Sequence, residues 1–214
     1  MFICHLPAVN TCMKNLIIII SIICVKTIAL AQPPSQNLSA IDPRLVNGFT
    51  MTKMLLTAKV FKGTIPAGSP GTSAIKTYIG LQKLQTVEVK GDKSKYFFKI
   101  IPYFSFNSWL SDSVKNEPET MARVLNHEQN HYNVHLLMAA ELKKELSSTW
   151  FDSKNYGPGI LAIRDKYLRQ ESKINQLYEI ETSYGQDINA QKRWDERIAK
   201  NGWQELAAYV NSKI

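Results

Sequence analysis

Three of the four histidines in this 214-residue chain, His127, His131 and His135, fall within nine residues of one another at a spacing of four. They lie in a stretch whose apolar residues recur at helical spacing, opened by Pro118 between Glu117 and Glu119 and reaching to about Leu146. A proline near a first turn that holds acids is a strong helix start, because it has no N–H to lose and acids favour the positive end of the dipole. Residues four apart on a helix share one face, so the imidazoles of His127 and His131 can converge on one ion.

The fourth histidine, His5, lies in a segment that reads as a targeting leader. Lys14 follows Met13, the run from Leu16 to Cys24 is almost wholly apolar, and Ala29-Leu30-Ala31 supplies small residues for cleavage after Ala31. The expected leader is residues 1–31, with Met13 as an alternative start. Its apolar run is shorter than the roughly 20 residues that span a bilayer core, and Lys26 interrupts it, so no membrane span is expected after cleavage. All three cysteines lie in that leader, which leaves the mature chain with neither disulfides nor thiolate metal ligands. An exported protein, periplasmic or secreted, is the expectation.

The 26 lysines and arginines include Lys14 and Lys26, so 24 remain against 18 acids in the mature chain. No arginine cluster with interleaved aromatics accompanies this excess, and export removes nucleic acid as a partner. A mildly basic surface facing anionic envelope polymers accounts for it.

Residues 32–47, rich in Pro, Ser, Gln and Asn, read as a flexible linker. From about Thr50 to Phe106 β-branched and aromatic residues alternate in part, and Gly91-Asp92 before Tyr96–Ile101 suggests a hairpin with a loop longer than two residues. Residues 63–71 are a loop. After Trp109 the helical period takes over: a second long helix is expected from about Ile160 to Ser183, a break at Gly185, and a last helix from near Ala190. The predicted class is α+β, one domain over residues 48–214, an N-terminal antiparallel sheet packed with long C-terminal helices, one of them a zincin-like active-site helix.

The run His127-Glu128-Gln129-Asn130-His131 matches the H-E-x-x-H pattern in which two histidines bind zinc and the glutamate acts as general base. Catalytic zinc takes three protein ligands and keeps one position open, over which Glu128 can lean to accept a proton from water. A solvated polar helix face is the competing reading of the same residues. His135 lies about 12 Å along the axis from His127 at 1.5 Å per residue, so it cannot share one ion with both other histidines.

A glycine and third histidine of the metzincin type would fall at Val134 and Leu137, which excludes that class. A carboxylate or a tyrosine must complete the set. The stripe Ile163, Tyr167, Ile174, Leu177, Tyr178 continues at helical spacing onto Glu181 and Tyr184, so Glu181 is the expected third ligand. Glu179, about 200° away around the helix, points elsewhere. Tyr184 could donate to a developing oxyanion or cap the helix packing.

Ser108-Trp109, the run Leu125–Val134 and the run Tyr178–Gly185, followed by Gln191 and Trp194, resemble domain of unknown function 922, a family described as secreted zinc-dependent proteases. The resemblance spans most of the mature chain. It implies export, zinc and peptidase activity. Where the family has aspartate this chain has Glu179, and where it has histidine this chain has Tyr184, which implies a third ligand from Tyr184 or a neighbouring glutamate. The expected function is thus an exported zinc peptidase acting on a peptide or other amide. Its rival is a non-catalytic exported protein whose zinc site is structural or vestigial.

Overall fold

Residues 93–105 form a strand that pairs with three others. A computed structural model describes residues 48–69 and 71–213, except the side chain of Phe49; the expected leader and the whole of the expected linker lie outside them. The strands are β1 (Gly48–Thr50), β2 (Ser73–Ala74), β3 (Thr77–Lys90), β4 (Lys93–Ser105), β5 (Trp109–Leu110) and β6 (Phe151–Asp152). The helices are α1 (Asp112–Lys115), α2 (Pro118–Ser148), α3 (Gly157–Glu181), α4 (Ile188–Lys200) and α5 (Trp203–Asn211). Antiparallel strands followed by helices make this an α+β fold, as the residue pattern implied. No described helix is long and apolar enough to cross a membrane.

The main sheet has the order β1-β4-β3, with β6 paired to the start of β4. β3 and β4 form one long antiparallel hairpin in which Lys90 faces Lys93. Its loop is therefore the two residues Gly91 and Asp92, shorter than expected. Gly91 takes a φ of +60° while Asp92 does not, the pattern of a turn with glycine in its first central position, whose twist matches that of the strands. Irregularities at Lys83/Gln85 and Thr86/Glu88 shift the register, which is why the alternation in the sequence is only partial.

α2 begins at Pro118, with Glu119 in its first turn, and runs for 31 residues. It contains no glycine or internal proline, so nothing interrupts it. One row along this helix changes character. His127, His131 and His135 occupy its middle, and Met138, Leu142 and Leu146 continue the row toward its C-terminal end. The apolar half enters a core with Phe98, Ile160, Tyr167, Ile174, Trp194 and Leu206. Tyr132, on a different face, joins a second core with Met51, Leu56, Phe61 and Phe104.

α3 ends at Glu181, two residues earlier than expected, because Ser183, Tyr184 and Gly185 all take left-handed conformations with φ of +49°, +56° and +75°. The last expected helix is two helices, α4 and α5, parted at Asn201-Gly202. Asp187 starts α4 by accepting a hydrogen bond from the Ala190 N–H.

Candidate metal centre

α2 and α3 run antiparallel, and the polar half of the histidine row meets a polar row on α3. His135 pairs with Glu171, His131 with Asn175, and His131 and His127 with Glu179. Each step of four residues along α2 is answered by a step of four in the opposite direction along α3. Buried polar groups are costly unless partnered, and this matching is what lets three histidines, at 2 to 9% exposure, lie in a helix interface.

His127, His131 and Glu179 each offer a ligand atom within 4.8 Å of the others, so the group can hold a metal ion. His131 Nε2 lies 3.3 Å from His127 Nε2 and 3.0 Å from Glu179 Oε1. His127 Nε2 lies 3.3 Å from Glu179 Oε2. That second carboxylate oxygen is buried and makes no hydrogen bond of acceptable geometry among the described residues. A buried, orphaned oxygen beside the His127 Nε2 is an atom that a bound cation would satisfy. Two histidines with one carboxylate form a donor set found in catalytic zinc sites.

The protonation pattern also fits a metal. His127 Nδ1 lies 3.2 Å from Gln191 Oε1, and His131 Nδ1 lies 3.0 Å from Asn175 Oδ1. Each ring thus donates Nδ1–H to a carboxamide oxygen, which leaves Nε2 as the atom for the ion. Tyr178 holds the rings in place: it stacks on His127 with centroids 4.7 Å apart and meets His131 edge-on at 4.9 Å. Burial pushes its phenol far above the usual tyrosine range, so the hydroxyl stays protonated at neutral pH.

Without an ion, the three groups hold a proton instead. Burial is the largest influence on His131 and works against its charge, but the hydrogen bond and charge of Glu179, with the charge of Glu128 and the Asn175 acceptor, outweigh it and raise His131 to about 9. Burial likewise pushes Glu179 up, and the two imidazoles beside it, His127 and His131, overturn this, bringing it to about 2. The site favours a positive charge among these three residues, whether a proton or a metal supplies it.

Glu128 is 3% exposed, and its carboxylate has no hydrogen-bond or ion-pair partner among the described residues. It directly follows His127 on α2, and its charge helps to raise His131. Residues 52–56 are held against α2 by two of its side chains: Gln129 accepts from Leu56 N and donates to Met54 O, and the Tyr132 hydroxyl donates to Thr52 O.

The expected third ligand requires correction. Glu181 accepts hydrogen bonds from Trp194 Nε1 at 2.8 Å and from the Tyr209 hydroxyl at 2.8 Å, tying α3 to α4 and α5. It takes no part in the histidine group, where Glu179 stands in its place. Continuing the apolar stripe along α3 led onto the wrong side of the helix, since the face that meets the histidines is the row Glu171, Asn175, Glu179. That row at four-residue spacing, complementary to His127, His131 and His135, is the signal that could have identified Glu179. Tyr184 is 61% exposed, and no hydrogen bond joins its hydroxyl to the three groups; its backbone N–H donates to Glu179 O at 2.9 Å. His135, excluded from the ion by distance, donates Nε2–H to the Tyr78 carbonyl at 3.2 Å while its Nδ1 lies 2.7 Å from Glu171 Oε1, linking α2 to α3 and β3.

Gly185 is required by a close approach. A Cβ there would lie 2.9 Å from two ring atoms of His127, and the residue's φ is +75°. A groove of about 500 Å³ lined by Arg123, Gly185, Gln191, Lys192 and Asp195 opens on this Nδ1 side of His127. The Nε2 atoms face the other way, toward Glu179, whose side chain is 30% exposed. Ser108 and Trp109 lie elsewhere and serve packing: Ser108, fully buried, accepts from Lys76 N and donates to Ser105 O. No protein-family model matches the chain, and neither curated proteins nor solved structures give a significant match. Its functional reading therefore stands on the geometry of this site.

Proposed function

We propose that the chain is an exported metal-dependent hydrolase that cleaves amide bonds, with zinc held by His127, His131 and Glu179. The observation that carries this reading is the combination of that ligand group with Glu128, a 3% exposed residue next to the first ligand whose carboxylate has no partner among the described residues. A carboxylate kept in reserve beside a three-ligand site has the position and the free lone pairs of a general base. The metal-binding group could serve a purely structural ion, but a structural site closes with a fourth protein ligand, and none stands with these three among the described residues.

When bound, zinc would polarise the scissile carbonyl and make water acidic enough to attack at neutral pH. The chain's own residues do the rest. Glu128 accepts the proton of the attacking water and delivers it to the nitrogen that leaves. Glu179 balances charge while Gln191 and Asn175 keep the two imidazoles in the ligating tautomer. Tyr178 fixes both rings and does not itself transfer a proton. The expected leader at residues 1–31 supports export.

Replacing Glu128 by Gln tests the proposal. The variant should bind zinc as the parent does and lose amide hydrolysis by at least two orders of magnitude, measured on a mixed peptide library by mass spectrometry. Zinc-dependent turnover at the parental rate would exclude Glu128 as the base.

A further inference from the structure

We infer that Asp195, which touches none of the three ligands, is a positioning residue that sets the orientation of the Gln191 side-chain amide and through it the tautomer of His127. The consequence for metal affinity rests on the metal reading above; the effect on the tautomer does not.

A side-chain amide can be turned by 180° with almost no change in shape, exchanging its donor and acceptor ends. Gln191 has three neighbours that could choose between the two orientations. Its Oε1 lies 3.2 Å from His127 Nδ1. Its Nε2 lies 2.7 Å and its Oε1 2.9 Å from the Tyr178 hydroxyl. A hydroxyl can donate or accept, so Tyr178 is satisfied either way. His127 is equally indifferent, since a neutral imidazole can carry its proton on either nitrogen.

Asp195 is the exception. Its Oδ1 lies 2.8 Å from Gln191 Nε2, and an ionised carboxylate can only accept. It therefore draws the amide nitrogen toward itself and turns Oε1 toward His127. His127 must then protonate Nδ1, leaving the Nε2 lone pair facing His131 and Glu179. In the reversed orientation the amide would donate to Nδ1, the proton would move to Nε2, and that nitrogen could not bind an ion.

Asp195 is itself held in place. Asn130 Nδ2 donates to Oδ1 at 2.7 Å and Asn126 Nδ2 to Oδ2 at 3.0 Å, both from α2. The carboxylate receives three amide donors and has no cation within ion-pair distance among the described residues. Its charge is thus spent on orienting amides. The helix that carries His127 clamps the acid that sets its tautomer.

The test is Asp195→Asn, examined without metal by the ring ¹⁵N shifts of His127 and with metal by zinc titration. An asparagine offers one acceptor oxygen to three amide donors, so Gln191 should populate both orientations. The parent should show the Nδ1–H form; the variant should gain a substantial Nε2–H population and bind zinc about 10- to 100-fold more weakly, the range for groups that orient a ligating histidine. Adding Gln191→Glu to Asp195→Asn should restore both, because a carboxylate at 191 presents only acceptor atoms to His127 however it is turned. An unchanged tautomer in Asp195→Asn would overturn the inference, and so would a loss of affinity that Gln191→Glu does not repair. If the parent bound no zinc, the metal reading would fail, and the tautomer comparison would still decide the role of Asp195.

Discussion

Oε1 of Glu179 lies 3.0 Å from Nε2 of His131 across the α2–α3 seam, while Glu181, two residues further along the same helix, turns away to Trp194 and Tyr209. Two carboxylates so close in sequence hold different parts of the molecule together, and each has its own consequence when removed.

Glu179→Gln should weaken zinc binding by about two orders of magnitude or more, because a neutral amide replaces the only charged ligand and the orphaned oxygen is lost. Glu181→Ala should leave the zinc isotherm unchanged and lower stability by about 1 to 3 kcal/mol, the cost of leaving the Trp194 N–H without its acceptor. Calorimetric titration and urea unfolding of both variants distinguish these roles; a reversal of the two effects would return Glu181 to the site.

The metal-free protein should be most stable between about pH 4.5 and 6.5. His131 rises on folding from 6.5 to about 9, so its contribution is complete below 6.5 and is lost as pH climbs through 9. Glu179 falls from 4.5 to about 2, so its contribution is complete above 4.5 and is lost as pH drops through 2. Thermal melts in chelator across this range should show a plateau with declines on both sides.

Zinc must displace the His131 proton, which couples affinity to pH in the opposite sense. Apparent affinity should rise about tenfold per pH unit up to about pH 9, with one proton released on binding. Titrations in buffers of different ionisation heat would measure that proton directly. Binding that does not vary between pH 6 and 8 would contradict the proton-for-metal exchange.

Gly185→Ala should disturb the site from behind. The new methyl would meet His127 at 2.9 Å and the backbone would be strained at a φ of +75°, at a cost of about 1 to 3 kcal/mol. Weaker zinc binding should accompany the lost stability, whereas the same substitution at Gly157, which meets nothing within 4 Å, should leave the site intact.

His135→Ala should separate structure from metal binding. It leaves the Glu171 carboxylate buried without its partner and should cost about 3 kcal/mol or more in urea unfolding. Zinc affinity of the folded fraction should stay within a few-fold of the parent.

The sequence by itself determined the helix that begins at Pro118, the pairing of His127 with His131, the adjacency of Glu128 and the exclusion of His135 from the ion, because all of these follow from rise and rotation along one helix. It also determined the order of strands before helices. Tertiary structure decided the third ligand. Which face of α3 meets α2 depends on how two helices dock, and the apolar stripe that led to Glu181 describes packing against α4 and α5 as well as against α2. Docking also brought in Gln191 and Asp195 from α4, some sixty residues beyond His127, whose roles depend on distances of about 3 Å that no local pattern encodes. A ligand pair on one helix is written in its periodicity; the charge, the tautomers and the third ligand that make it a site come from the surfaces of three helices meeting.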